Sequence, residues 1–164
     1  MFYTEALKLW SRGNTEELLD KFLRKFVYSS LRLDGVNITY TEVEAVFAGD
    51  NTNKLTEDYI GFCRNVLKQG EAVKLNEDNA LKVAGEFYCN MYSILGGRIA
   101  RMLVNYVLIA NNLPPIIFWY TDEEEHDRAL QDTKEMIKFL DNQAYKTWIK
   151  DYNLKLKSLK EFLD

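Results

Sequence analysis

Proline is almost missing from this sequence: Pro114 and Pro115 are the only two in 164 residues. Outside that point nothing forces a helix to break, and with only eight glycines long helical runs are expected. Histidine occurs once, at His126, and cysteine twice, at Cys63 and Cys89, with no CxxC or Cys/His grouping. A Cys/His metal site and a disulfide scaffold are thereby excluded; the two thiols read as reduced, buried, small apolar groups. A surplus of positive charge is lacking too: 21 basic against 25 acidic side chains leave −4. That argues against a nucleic-acid partner, which needs a basic face for the phosphates, and leaves only a local basic patch open. The longest apolar run, Met102 to Ala110, contains Asn105 and is too short to cross a bilayer. The opening MFYTEALKLWSRGN scatters charges through its apolar residues, unlike a signal peptide. A single cytoplasmic domain with no membrane contact is expected.

Helical spacing is abundant. Asn14 with Glu17 has the form of a capping box, and Leu18, Leu19, Phe22, Leu23 and Phe26 then recur at three and four, predicting a helix to about Leu33. Thr39 with Glu42 repeats the cap and opens a short helix closed by Gly49. Thr56 starts the next, with Tyr59, Ile60, Cys63, Val66 and Leu67 on one face; another runs from about Asn76 and halts near Asn90 to Ser93. The segment from Arg98 to about Asn111 is apolar almost all round, as a central buried helix would be. Thr121 and Glu124 begin a helix reaching Leu140, and Asp141 or Asn142 opens a last, mostly surface helix. Its Lys150–Lys160 stretch alternates lysine with leucine, to pack on the body or meet a partner. PPIIFWY could be extended, but one short segment makes no sheet. The expectation is an all-α, compact single-domain bundle of about six to eight helices.

One stretch carries chemical interest: NMYSILGGRIARML, Asn90 to Leu103. Arg98, Arg101 and Asn105 form a polar stripe at offsets of three and seven on an apolar cylinder. Gly96 and Gly97 stand just before it, where a helix start offers free N–H groups and a positive dipole end. An anion could approach that backbone closely, with Arg98 adding forked donors. The bland alternative is an incidental glycine pair with its arginines paired to neighbouring acids.

Asn90 to Arg101 resembles the signature loop of the Fic (Fido) family, HPFx(D/E)GNGRxxR. Tyr92, Gly97, Arg98 and Arg101 fall on the phenylalanine, the second glycine and the two arginines. Upstream, SSLRLDGVNITYTEVEAV is similar to the family's inhibitory helix, (S/T)xxxE(G/N), with Ser30, Asp34 and Gly35 on its positions. YTDEEEHDRALQDTKEMIKFLDNQ resembles the helix after the signature. The resemblance implies a Fic-like domain with an inhibitory-type helix at about 15–34, the signature loop at 90–101 and C-terminal helices over about 121–162. It further implies AMP transfer from ATP to a protein hydroxyl, an anion site at Gly96, Gly97, Arg98 and Arg101, and an Asp34–Arg101 pair blocking productive ATP binding.

The departures from the motif bear on that activity. Asn90 stands at the histidine position, and an amide cannot be a general base; losing one costs about 10² to 10⁴ in rate. Ile94 stands at the metal position and has no oxygen for a hard cation. Leu95 and Gly96 replace the first glycine and the asparagine. Only about forty residues separate Glu44 from Asn90, so the family's β-hairpin flap is expected to be missing. Among stand-ins for the base, His126 reads as solvated in an acidic first turn, Cys89 lacks a basic neighbour, and Tyr88 and Tyr92 read as core aromatics with outward hydroxyls. The expected function is that of a pseudoenzyme requiring no cofactor and binding a protein partner: a regulator, an antitoxin-like partner, or a phage or mobile-element protein blocking a host factor. ATP or ADP at the anion site stays open. The alternative is a divergent nucleotidyl- or phosphoryl-transferase.

Overall fold

The computed structural model describes residues 1–12 and 15–150. Asn14 and the Lys150–Lys160 amphipathic stretch, apart from the backbone of Lys150, lie outside the described residues. The described residues form eight α-helices: α1 (Phe2–Arg12), α2 (Thr15–Leu33), α3 (Tyr40–Phe47), α4 (Lys54–Leu67), α5 (Ala80–Leu95), α6 (Gly97–Ala110), α7 (Glu123–Ala129) and α8 (Thr133–Tyr145). A 3₁₀ turn, Tyr120–Asp122, precedes α7, and a π-helical turn, Lys146–Lys150, follows α8. No β-strand occurs among the described residues, in keeping with the expected all-α bundle.

Local chemistry explains most boundaries. Thr39 accepts from the Glu42 amide at 3.2 Å and starts α3 as expected. α4 begins two residues before Thr56, because Asn53 accepts the Thr56 amide at 3.1 Å and is the cap; Thr56 itself is buried. α2 closes in a Schellman turn: Gly35 N donates to Arg32 O and Val36 N to Leu31 O, both at 3.0 Å, with Gly35 at φ +83°, a conformation that favours glycine.

Three expectations need correction. The helix expected over Thr121–Leu140 is two, because Asp132 accepts the Lys134 amide at 2.9 Å and caps a new start. Asp141 does not open a helix; it lies inside α8 and accepts the Phe2 and Tyr3 amides at 3.2 and 2.9 Å, capping α1 from 138 residues away. α1 itself was not expected, although Tyr3, Ala6 and Trp10 are buried on one face of it.

α5 and α6 form the centre, with α8 packed on α5, α1 on α8, and α2, α3 and α4 along the other side. Gly85 lets α5 approach α8; a Cβ there would stand 3.1 Å from Ile137 Cγ1. Between α6 and the 3₁₀ turn the chain runs extended through the interior, with Ile116, Ile117 and Phe118 fully enclosed. Its peptide groups cannot reach water or a neighbouring strand, so side chains satisfy them. Asn105 accepts from Ile116 N (2.7 Å) and donates to Ile116 O (2.9 Å). Ser29 donates to Phe118 O and accepts from Tyr120 N, at 2.8 and 2.9 Å. Thr147 accepts from Ile117 N (3.2 Å) and Gln143 from Trp119 N (2.6 Å).

Candidate functional site at the α5–α6 elbow

The stretch expected to be a loop is nearly all helix. α5 continues past Ser93 to Leu95, α6 begins at Gly97, and Gly96 alone separates them at φ 83°, ψ 166°. That backbone region is open essentially only to glycine. A one-residue elbow therefore replaces the expected signature loop. Its amides are only partly used: Gly96 N donates to Tyr92 O at 3.0 Å, while no side chain caps α6.

Gly97 has a packing role. A Cβ there would stand 2.8 Å from Tyr92 Cε2 and 3.2 Å from Arg101 Cζ, and closer still to Arg101 Nη1. The missing side chain makes room for the Arg101 guanidinium under the helix start.

The polar stripe turns inward at Arg101 and Asn105, while Arg98 stays partly open. Arg101 has 0% exposure and Asn105 is equally enclosed. Arg101 donates through Nε to Ser30 Oγ at 2.7 Å and through Nη2 to Ser30 O at 3.0 Å. The same Nη2 lies 2.7 Å from Asp34 Oδ1, and Arg98 Nε is 3.0 Å from Asp34 Oδ2. One carboxylate thus bridges both arginines, and the anion in this site is the chain's own Asp34. The hydroxyls extend the network: Tyr59 donates to Arg98 O at 2.9 Å. Ser30, already accepting from Arg101, then donates to Tyr59 at 2.8 Å. Each proton in that relay has one place to go, and α2, α4 and α6 are pinned together by it.

His126 is not solvated. It is 2% exposed, ringed by Tyr88, Tyr92, Phe118 and Phe139 at centroid distances of 5.7 to 6.5 Å. Its Nε2 is 2.7 Å from Tyr88 Oη and its Nδ1 3.0 Å from Asp127 Oδ1. Burial lowers its pKa, and the Asp127 hydrogen bond only partly opposes this. The neutral ring therefore carries its proton on Nδ1 toward Asp127, and Nε2 accepts from Tyr88. The Tyr88 hydroxyl points inward, not outward as expected, and burial raises its pKa. His126 joins the network from behind and is closed to any substrate.

The other groups that could stand in for a base are placed differently. Asn90 is exposed and has no titrating group. Burial raises the Cys89 thiol, with Asp132 adding to the effect, and pushes Cys63 up to about 12. Ser93 donates to Asn90 O at 3.2 Å. No group of three potential metal ligands occurs among the described residues.

The exposed face of the elbow is apolar. Ile94 is 70% exposed, Leu95 43% and Ile99 37%, with Gly96 exposed between them. This surface was not expected: the spacing places Ile94 and Leu95 in a loop, and Ile99 in a helix buried all round. The signal was there: Ile99 lies off the stripe of Ala100, Val104 and Leu108, and Ile94 follows three residues that face outward or sideways.

No protein-family model matches this chain, and no curated protein or solved structure matches it either.

Proposed function

We propose that this protein works by binding a protein partner through the α5–α6 elbow and transfers no nucleotide. The observation that carries this reading is the exposed trio Ile94, Leu95 and Ile99. Large aliphatic side chains clustered on a rigid corner are a feature of interaction sites. Supporting it, the position aligned with a catalytic histidine is an amide, the sole histidine is enclosed, and Asp34 fills the arginine cluster. On this reading the chain is a degenerate Fic-like protein. The Asp34–Arg101 contact suits the role that the resemblance implies, although the one-residue elbow departs from a catalytic loop. Two free thiols suit a reducing compartment such as the cytoplasm. No helix among the described residues is long and apolar enough to cross a membrane.

A second reading keeps a residual anion site, favoured by the uncapped first turn of α6 beside Arg98. ATP or ADP would then meet Arg98 and the amides, with Arg101 closed off. Calorimetric titration with and without Mg²⁺ separates the two: millimolar nucleotide giving no heat leaves protein binding alone, and binding lost in Arg98→Ala establishes the anion site. Incubation with labelled ATP and a host lysate is expected to label nothing. A labelled protein dependent on this chain overturns the binding reading.

A further inference from the structure

The apolar elbow borders the arginine cluster, two guanidinium groups with one carboxylate between them. Arg98 and Arg101 share the single carboxylate of Asp34. His126 behind them is held neutral by burial, and the Tyr59 and Tyr88 hydroxyls keep their protons, since burial raises both. The two arginines and Asp34 thus sum to +1, while Asp127, 3.0 Å from His126 Nδ1, supplies a negative charge at that edge of the ring.

Arg101 is spent on Ser30 and Asp34, but Arg98 is not. It engages Asp34 through Nε alone, no acceptor bonds its two terminal nitrogens among the described residues, and a third of the side chain, 34%, is open. Arg98 sits between Gly97 and Ile99, with Ile94 and Leu95 across the elbow. On α5 the nearest acid along the Asn90–Ile94 stripe is Glu86, two turns back and about 12 Å along the axis. Three aliphatic side chains and one half-engaged guanidinium thus share a corner.

We propose that the partner of this surface is a protein segment presenting aliphatic or aromatic side chains next to an Asp or Glu. The apolar residues cover Ile94, Leu95 and Ile99, and the carboxylate takes the terminal nitrogens of Arg98. The inference rests on the binding function proposed above and adds the chemistry of the partner. A carboxylate brings the set of Arg98, Arg101 and Asp34 to neutrality and matches the guanidinium fork. A phosphate dianion would overshoot, lying close to the Asp34 carboxylate and leaving the cluster net negative.

The test is selection of phage-displayed random peptides on the intact chain, with the Ile94→Asp/Ile99→Asp variant as counter-selection. Circular dichroism and thermal melting show that each variant is folded. The expected pool pairs Asp or Glu with Leu, Ile or Phe. A synthetic peptide from it should bind about tenfold more weakly to Arg98→Gln, lose a similar factor when its own acid is amidated, and weaken as salt is raised. An empty pool, a pool rich in basic residues, or binding indifferent to Arg98→Gln overturns the inference. If selection without the counter-selection step returns only peptides that bind Ile94→Asp/Ile99→Asp equally well, this surface is removed while protein binding stands. Labelling of a host protein from ATP instead removes the binding function itself.

Discussion

Two residues at the elbow show how a side chain, or its absence, decides the site. Gly97 is replaceable only if Arg101 or Tyr92 moves, and Arg101 is held by Ser30 and Asp34. Gly97→Ala gains helix propensity, about 1 kcal/mol, but meets that overpacking. It is expected to lose about 1 to 3 kcal/mol net, read as a lower urea midpoint at unchanged slope. His126 supplies a pH signature. Its folded pKa is depressed by burial, so the unfolded chain binds the extra proton first as pH falls. The stability it contributes is present above about 6.5 and is lost as pH drops toward and through the folded value. Protonation at Nε2 would also take away the acceptor of the Tyr88 hydroxyl. His126→Gln retains an acceptor and cannot titrate, so its urea midpoints should vary less between pH 7.5 and 5 than those of the parent. The difference between the two chains separates His126 from Lys25, whose ammonium burial lowers to about 6, with Lys21 adding to it. Equal slopes for both chains would contradict the buried, neutral ring.

At the level of elements, what was legible follows from local chemistry. The Thr39 cap, the Gly35 turn and the apolar spacing of α2, α4 and α6 are written within a few residues of where they act. The α1 cap at Asp141 and the side-chain cradle of the extended segment 113–119 are not, because their partners lie far off in the chain. Asn105 illustrates the difference. Spacing put it on a polar stripe with Arg98 and Arg101; in the fold Arg101 and Asn105 are fully buried, and Asn105 clamps Ile116. Asn105→Leu removes an acceptor and a donor from a buried peptide group. It is expected to cost about 2 to 4 kcal/mol and to lower the melting temperature, while Asn90→Leu, at an exposed position on α5, changes it little. The candidate site was legible as a set: Ser30, Asp34, Arg98 and Arg101 do converge. That the guanidinium of Arg101 would be sealed inside was not, since only tertiary packing shows which face of an apolar helix is covered.

Across the whole molecule, the polar network and the exposed corner are two sides of one arrangement. Asp34, Ser30, Tyr59 and Arg101 pin the start of α6 to α2 and α4, and the proposed docking surface lies beside that anchor. If the proposed partner docks there, a surface already held outward lowers the entropic cost of binding. The most direct measurement of the central claim is site-specific photo-crosslinking in the native host, with the reactive residue at position 94 and, as control, at Lys138, an exposed position of α8. The account predicts a discrete protein adduct from position 94 that disappears with Ile99→Asp and has no counterpart at position 138. No adduct at 94, or the same adducts from both positions, would contradict it.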